Sequence, residues 1–274
     1  MNPGQRQRLW SRGVFFAGLF LLLHGFPPLV EAGWYIASTT IPPNSSASAW
    51  RPPQVVTRVA QNRLTYETRA WTQIIDLNSQ QLSIISHLGQ VYWQGPIEAY
   101  ATVMAARTQE RRAQAERLMN QLPHGSQQFV ARRAGPFDSL SPRLTITITP
   151  MSEAESVAGY AAHKYRIQRN GIAYEETWLA EKIKLSTDVD MSRLNAFIDK
   201  LQTSRTTPPG AVLAELTELI NIGYPVRTVN LVTQVVKEVV QAEQRPIRAE
   251  VFMVPDGYTK KALVEIMFPT RRRL

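Results

Sequence analysis

Cysteine is absent from this chain of 274 residues, and glycine is scarce, with 14 residues. Without cysteine no disulfide can form, no thiolate can act as a nucleophile, and no thiol can accept a lipid anchor. The glycines are nowhere clustered, which excludes the glycine-rich loops that bind phosphate groups. A folded state therefore depends on burial of the apolar side chains, which make up 44% of the sequence.

Residues for nucleophilic catalysis are sparse as well. Such catalysis needs a nucleophile beside a base that a third group orients, and the sequence has no Gly-x-Ser-x-Gly elbow. Beyond the first thirty residues the histidines are His87, His124 and His163. The first two precede turn-forming residues, so we expect them in exposed loops, and we expect His163, where a strand opens, to be a surface or half-buried residue. We therefore expect no enzymatic activity and no cofactor.

A metal site is not expected either. The closest acidic pair of note, Asp188 and Asp190, lacks the glycine and the glutamate of a calcium-binding EF-hand loop. Asp190 stands directly before a predicted helix that begins at Met191, and aspartate is a favoured N-cap residue. We interpret Asp190 as a helix cap rather than a metal ligand.

The first 32 residues have the three regions of a bacterial export signal. A positive start precedes an apolar run over residues 13–23, two prolines follow, and small or apolar residues precede Gly33 (Arg6, Arg8, Arg12, Pro27, Pro28, Val30, Ala32). The apolar run has about half of the roughly 20 residues that a membrane span needs. We expect removal of residues 1–32 and a soluble protein in the periplasm. The alternative is an uncleaved anchor in the inner membrane.

The charge balance is basic, with a formal net charge of +9 for the whole chain. Removal of the signal takes away three arginines and one glutamate, which leaves +7. The positive charges are scattered except for one cluster in a basic C-terminal tail over 262–274 (Arg271, Arg272, Arg273). Because exported proteins seldom meet DNA, we expect no nucleic-acid partner. The cluster either contacts anionic membrane or is a solvated tail without a role.

The pattern after the signal predicts a flexible lead-in followed by a β-sheet. Residues 38–53 are rich in Ser, Thr, Pro and Asn, so residues 33–53 are interpreted as the lead-in. Short runs rich in β-branched and aromatic residues follow, separated by turn-forming residues (55–60, 63–69, 72–77, 81–86, 90–94). Their connections are too short for crossover helices, which predicts an antiparallel meander.

The period changes at Ile97. Residues 97–122 contain no Gly or Pro and repeat apolar residues at steps of three and four, which predicts an amphipathic helix that covers a sheet face. Strand patterns return at 144–149 and on both sides of Asn170-Gly171, a strong hairpin signal. A helical insertion is predicted over about 191–222. Residues 224–237 and 248–254 are predicted as the last strands, with 231–242 open to a helical alternative.

Three segments resemble an exported bacterial family of unknown function that is placed near the outer-membrane lipoprotein carriers (LolA-like). The segments are an apolar-Asp-Leu strand followed by a Tyr-containing strand, a Gly-Tyr and Glu-x-Trp hairpin, and a closing Val-Pro-x-Gly-Tyr run (74–78 with 91–93, 157–180, 254–261). The resemblance covers roughly residues 54–261. Ala162 stands where many relatives have Cys, and the stretches 104–142 and 203–248 are longer than in the family.

This resemblance implies an α+β, mostly β fold: a curved antiparallel sheet, or half-barrel, that is covered by helices. In carriers of this shape, acyl chains occupy the space between sheet and helices. The expected cavity-lining residues are Ile75, Leu77, Ile85, Tyr92 and Trp178. Large aromatic side chains also fill ordinary cores. The expected function is therefore a non-catalytic binding module for acyl chains, lipid or a lipidated partner; the alternative is a structural accessory subunit of an envelope complex with a filled core and no ligand.

Overall fold

A computed structural model of the chain describes residues 30–43, 52–122, 145–202, 219 and 221–268. Most of the expected export signal, most of the predicted helical insertion beyond residue 202, and the cluster at 271–273 lie outside the described residues.

The described residues form one curved, unclosed sheet of twelve strands. The strands are β1 Val30–Ile41, β2 Val55–Ala60, β3 Arg63–Thr68, β4 Trp71–Asp76, β5 Gln81–Ser86, β6 Val91–Pro96, β7 Ile146–Val157, β8 Tyr160–Arg169, β9 Ile172–Ala180, β10 Tyr224–Asn230, β11 Val236–Arg248 and β12 Thr259–Lys260. Their spatial order is β12-β6-β5-β4-β3-β2-β1-β11-β10-β9-β8-β7. All neighbouring strands are antiparallel except β12, which is parallel to β6.

The predicted meander is confirmed, since β2 to β6 pair in sequence order. The β2–β3 connection is only Gln61 and Asn62, both with positive φ, as a tight hairpin turn requires. The hairpin at Asn170-Gly171 is confirmed too. These two residues join β8 to β9 and have φ angles of 50° and 77°.

The prediction of a flexible lead-in is wrong for residues 33–41, because they belong to β1. This strand lies between β2 and β11 and is the link between the two halves of the sheet. Gly33 allows β1 to lie close to β2, because a Cβ at this position would lie 2.2 Å from the carbonyl oxygen of Val59. The Thr-rich run that suggested a loop is compatible with a strand, since β-branched residues fit a pleated surface.

The last third of the chain differs from the prediction in three places. Residues 224–237 are not one strand, because a turn at 231–235 separates β10 from β11, and the helical alternative for 231–242 is wrong as well. Ala249–Phe252 is a 3-10 helix rather than a strand. Within the expected basic C-terminal tail, Leu263–Met267 is helical and buries Leu263 and Ile266.

Three helices lie on the same face of the sheet: α1 Ile97–Asn120, α2 Met191–Gln202 and α3 Leu263–Met267. The first agrees with the helix predicted over 97–122. The second is capped as the sequence predicts, because the Asp190 carboxylate accepts hydrogen bonds from the backbone N–H groups of Ser192 and Arg193, at 3.0 and 3.2 Å. Lys200 of α2 and Glu98 of α1 form an ion pair at 2.6 Å.

The sheet has an inner and an outer face. The inner face carries the largest apolar cluster and contacts the three helices. On this face Trp34 of β1 and Tyr160 of β8, which three other strands separate in the sheet, have ring centroids 6.5 Å apart. Such a contact requires the sheet to curl toward this side. The outer face carries two smaller clusters, one of which is covered by residues 249–258.

Candidate functional site

Strand register defines the rows of side chains on the inner face, because paired residues share a face. The middle row across β1 to β6 consists of Ile36, Thr57, Tyr66, Gln73, Ile84 and Trp93. Ile36 near one end of this row and Ile84 near the other are 1% exposed, whereas Tyr66 in the middle is 46% exposed and Gln73 is exposed as well. The inner face is therefore open to solvent over β3 and β4.

Apolar side chains surround this opening. Leu64 and Ile75 pair with each other in the row on one side of it, and Trp71 lies in the row on the other side. All three are half-buried and pack against the main apolar cluster. We call the five residues Leu64, Tyr66, Trp71, Gln73 and Ile75 the inner patch. It combines apolar side chains with direct access from solvent.

Helix α1 forms one border of the inner patch. The Trp93 ring lies 6.3 Å from the Tyr100 ring of α1, centroid to centroid. The Trp93 indole also covers Gly95, where a Cβ would come within 2.7 Å of the ring. Glycine at this position therefore lets the indole lie against the sheet under the helix.

Tyr224 forms the opposite border. It stands at the start of β10, and its side chain is hydrogen-bonded to that of Thr57 on β2, so it crosses the inner face over β11 and β1. Burial is the main cause that raises the pKa of Tyr224 to about 12; the bond with Thr57 acts in the opposite direction, and the nearby Tyr66 adds to the increase. The phenol therefore stays protonated at physiological pH and can donate a hydrogen bond.

Beyond Tyr224, residues of distant strands contact one another across the inner face of the curled sheet. The Tyr160 hydroxyl donates to the backbone oxygen of Ala242 at 3.0 Å. Trp34, which contacts Tyr160, is 4% exposed. Its indole N–H is buried and has no hydrogen-bond acceptor within the part of the chain that the structure describes. A buried donor without an acceptor costs about 1–3 kcal/mol.

A charged network surrounds Trp178 on β9. The ammonium group of Lys164 lies 5.0 Å from the centre of the Trp178 ring, and the guanidinium of Arg227 lies 5.6 Å from it. Lys164 pairs with Glu153 at 2.6 Å and with Glu176 at 2.9 Å. Hydrogen bonds with these two carboxylates raise the pKa of Lys164. These cation–π contacts and ion pairs fix the Trp178 ring, which is 8% exposed.

The five expected cavity residues do not share one face. Ile75, Leu77 and Trp178 belong to the inner cluster, whereas Ile85 and Tyr92 belong to the outer cluster with Phe252. The prediction of one shared lining is wrong for Ile85 and Tyr92, because β5 presents Leu82 and Ile84 to the inner face and Ile85 to the outer face. Of the expected lining residues on the inner face, Leu77 is fully buried, whereas the half-buried Ile75 borders the opening.

The sequence did not single out Tyr66, Gln73 or Tyr224. Two of these are ordinary polar or aromatic positions in alternating strands, and the third begins a strand distant in sequence. Only the strand register and the curl of the sheet bring them together. Two-residue and four-residue connections between β2, β3, β4 and β5 were the available signal, since they set which residues pair.

His87 is not an exposed loop residue as predicted. Its ring nitrogens contact the Thr72 hydroxyl at 2.8 Å and the Tyr258 hydroxyl at 3.0 Å. This chain of hydrogen bonds attaches the 254–261 segment to the outer face, where the backbone N–H of Lys261 also donates to Tyr92 at 2.8 Å. Thr72 is 8% exposed, so we assign this triad a structural role.

The described residues contain no group of three or more His, Asp or Glu side chains arranged to hold a metal ion. No helix among them combines the length and the apolar character that a bilayer crossing requires.

No curated protein matches the chain. A family model described as a domain of unknown function (DUF4412) matches residues 138–258. The match includes β7 to β11 and the Gly-Tyr, Glu-x-Trp and Val-Pro-x-Gly-Tyr motifs, but not the meander that carries the inner patch. The chain is thus similar to a family of unknown function over less than half of its length. In the sheet, the matched strands β7 to β11 lie on the opposite side of β1 from the meander.

Proposed function

We propose that this chain is an exported, periplasmic, non-catalytic binding module that holds acyl chains, of a lipid or of a lipidated partner, on the inner face of its sheet. The observation that carries the proposal is the inner patch. Leu64, Trp71 and Ile75 remain half-buried beside an exposed Tyr66, whereas Ile36 and Ile84, which lie in the same row as Tyr66, are buried.

Apolar surface of this kind gains free energy when a hydrocarbon chain covers it. Each buried methylene of a bound chain contributes about 0.8 kcal/mol, so even a short acyl chain would bind measurably. The borders suit an elongated ligand, because α1 and Tyr224 leave β3 and β4 uncovered between them. A curved sheet with helices on its inner face is also what the resemblance of the sequence motifs to LolA-like carriers implies, and this agreement supports the proposal.

A structural accessory subunit is the second candidate, and a specific observation favours it. Phe197 of α2 is fully buried, as are Leu77 and Ile97, so the region beneath the helices is filled by the protein's own side chains. On this reading the inner patch would be a small solvent-exposed part of a closed core, and no ligand would enter.

Titration with a fluorescent acyl probe separates the two candidates. We expect saturable binding by the wild-type protein and at least a tenfold weaker affinity for Gln73→Arg, which places a charge within the inner patch. The matched control is Gln94→Arg: Gln94 is exposed on β6 but faces the outer side, beside Ser83. Its affinity should equal that of the wild type.

Because both glutamines are exposed, both variants should keep the wild-type unfolding transition. Absent or non-saturable binding by the wild type would reject the carrier function and favour the structural subunit. Equal loss of affinity in both arginine variants would show that the probe binds elsewhere.

A further inference from the structure

Polar groups stand at the Tyr224 side of the inner patch, and the acyl chain alone does not account for them. The side chains of Thr57 and Tyr224 are hydrogen-bonded, and the exposed Tyr66 pairs with Thr57 in the sheet. Two hydroxyl groups bonded to each other use one of their two protons. The second proton is available for an acceptor outside the pair.

A buried donor lies close by on the same face. Trp34 is two residues from Ile36, the partner of Thr57 in the next strand, and faces the same side. The structure shows no acceptor for its indole N–H within the described residues. Buried polar groups are nearly always hydrogen-bonded. An unpartnered donor on the same face as the hydroxyl groups therefore indicates the place of an acceptor that the described residues do not supply.

We infer that Trp34, Thr57, Tyr66 and Tyr224 form a donor cluster that binds the carbonyl oxygen of a fatty acyl ester, with the acyl chain on the inner patch. This inference rests on the proposed function and names the chemistry of its ligand. The donors are neutral, and they match a neutral carbonyl oxygen, whose transfer from water costs far less than that of a carboxylate.

Tyr224 supports this assignment. Its phenol is held by Thr57 at the border of the inner patch and stays protonated throughout the physiological pH range. It therefore offers the same hydrogen-bond donor under all conditions that the protein meets. Tyr66 contributes a hydroxyl at the solvent side, where the rest of an esterified headgroup would emerge.

A pair of lipids that differ only in the carbonyl group tests the inference. Monolauroylglycerol contains the ester, and dodecyl glyceryl ether has the same chain and the same headgroup without the carbonyl oxygen. Both compete with the fluorescent acyl probe. A neutral hydrogen bond changes an affinity by about three- to tenfold, so the wild type should prefer the ester to the ether by that factor. Tyr224→Phe should lose the preference while it still binds both compounds.

Tyr165→Phe is the matched control, because Tyr165 belongs to an outer-face cluster and its loss should leave the preference unchanged. Trp34→Phe removes the buried indole N–H and should also reduce the preference for the ester over the ether. If the buried variants fail to fold, Tyr66→Phe still tests the cluster, since this residue is 46% exposed. A diacylglyceryl-cysteine peptide as a third competitor distinguishes a lipoprotein from a free glycerolipid, both of which carry the ester.

The outcomes separate the two proposals. Equal competition by ester and ether, or an ester preference that survives in Tyr66→Phe, Trp34→Phe and Tyr224→Phe, overturns the donor cluster while the acyl-binding function stands. Absence of any saturable probe binding overturns the acyl-binding function and the donor cluster with it.

Discussion

Gly223 lies where the chain enters β10 and approaches the end of β9 closely. A Cβ at this position would lie 2.7 Å from the carbonyl carbon and oxygen of Ala180, and 2.9 Å from the backbone nitrogen of Glu181. All three are backbone atoms, which cannot move aside as a flexible side chain can. The close approach fixes the start of β10, and with it the position from which Tyr224 reaches Thr57.

Gly223→Ala should therefore destabilise the protein by about 1–3 kcal/mol, the usual cost of overpacking. The matched control is Gly89→Ala, where the nearest atom to the new Cβ is a side-chain carbon at an ordinary 3.4 Å. We expect a change within about 0.5 kcal/mol for the control. Urea denaturation of both variants measures the difference, and equal stabilities would show that the backbone gives way at no cost.

Single residues also show why the ligand site could be predicted only in part. In β5 the residues Leu82, Ile84 and Ile85 are all buried. The strand therefore lacks the alternation of apolar and polar residues that would reveal its inner face, and Ile85 was assigned to the wrong side. The correct parity follows from the turn, since Asp76 pairs with Gln81 and so odd residues of β4 pair with even residues of β5.

Helix α1 has two different parts. Ile97 and Ala101 in its first half are buried against the sheet, while Leu118 near its end is 57% exposed. The helix has 24 residues and spans about 36 Å at 1.5 Å per residue, which exceeds the length of the six-residue strands that it crosses. Only the first half can therefore act as a fixed border of the inner patch.

Two truncations within α1 test this division. Ile97→Ala should cost about 2–5 kcal/mol because it leaves a cavity in the core, whereas Leu118→Ala should change the stability by less than about 0.5 kcal/mol. Thermal or urea unfolding gives both values. A large effect at Leu118 would mean that the end of the helix is packed in solution.

Elements with a strong local pattern were predicted from sequence. The meander, the Asn170-Gly171 hairpin and α1 have turns, breakers or a 3.6-residue period that act locally. Elements defined by distant partners were not. Residues 33–41 become a strand because β2 and β11 flank them, and Leu263 and Ile266 become a helix face because β6 and α1 lie beside them.

At the scale of the whole molecule, β1 decides whether the sheet is continuous. It is the only described strand between the meander and the β7–β11 half. Its buried residues begin at Gly33 and include Trp34, Ile36 and Ala37, whereas Ala32 is exposed. Cleavage after Ala32, the site expected for signal removal, would thus retain every side chain of β1 that is known to be buried.

A chain that begins at Gly33 should therefore fold with a single cooperative unfolding transition, and the protein isolated from its native envelope should begin at or near this residue. A chain that begins at Asn44 lacks β1 and exposes the edges of β2 and β11, so the two halves of the sheet lose their connection. We expect it to lose the cooperative transition in urea and to aggregate, because unpaired strand edges associate. Addition of a peptide with the sequence of residues 33–43 should restore folding in part, whereas the same peptide with Ile36→Asp should not, since Ile36 is 1% exposed. Cooperative unfolding of the Asn44 chain without peptide would show that the two halves of the sheet are joined through residues outside the described sheet. For the start of the protein, N-terminal sequencing that begins at Met1 in a membrane fraction would show that the signal is retained as an anchor.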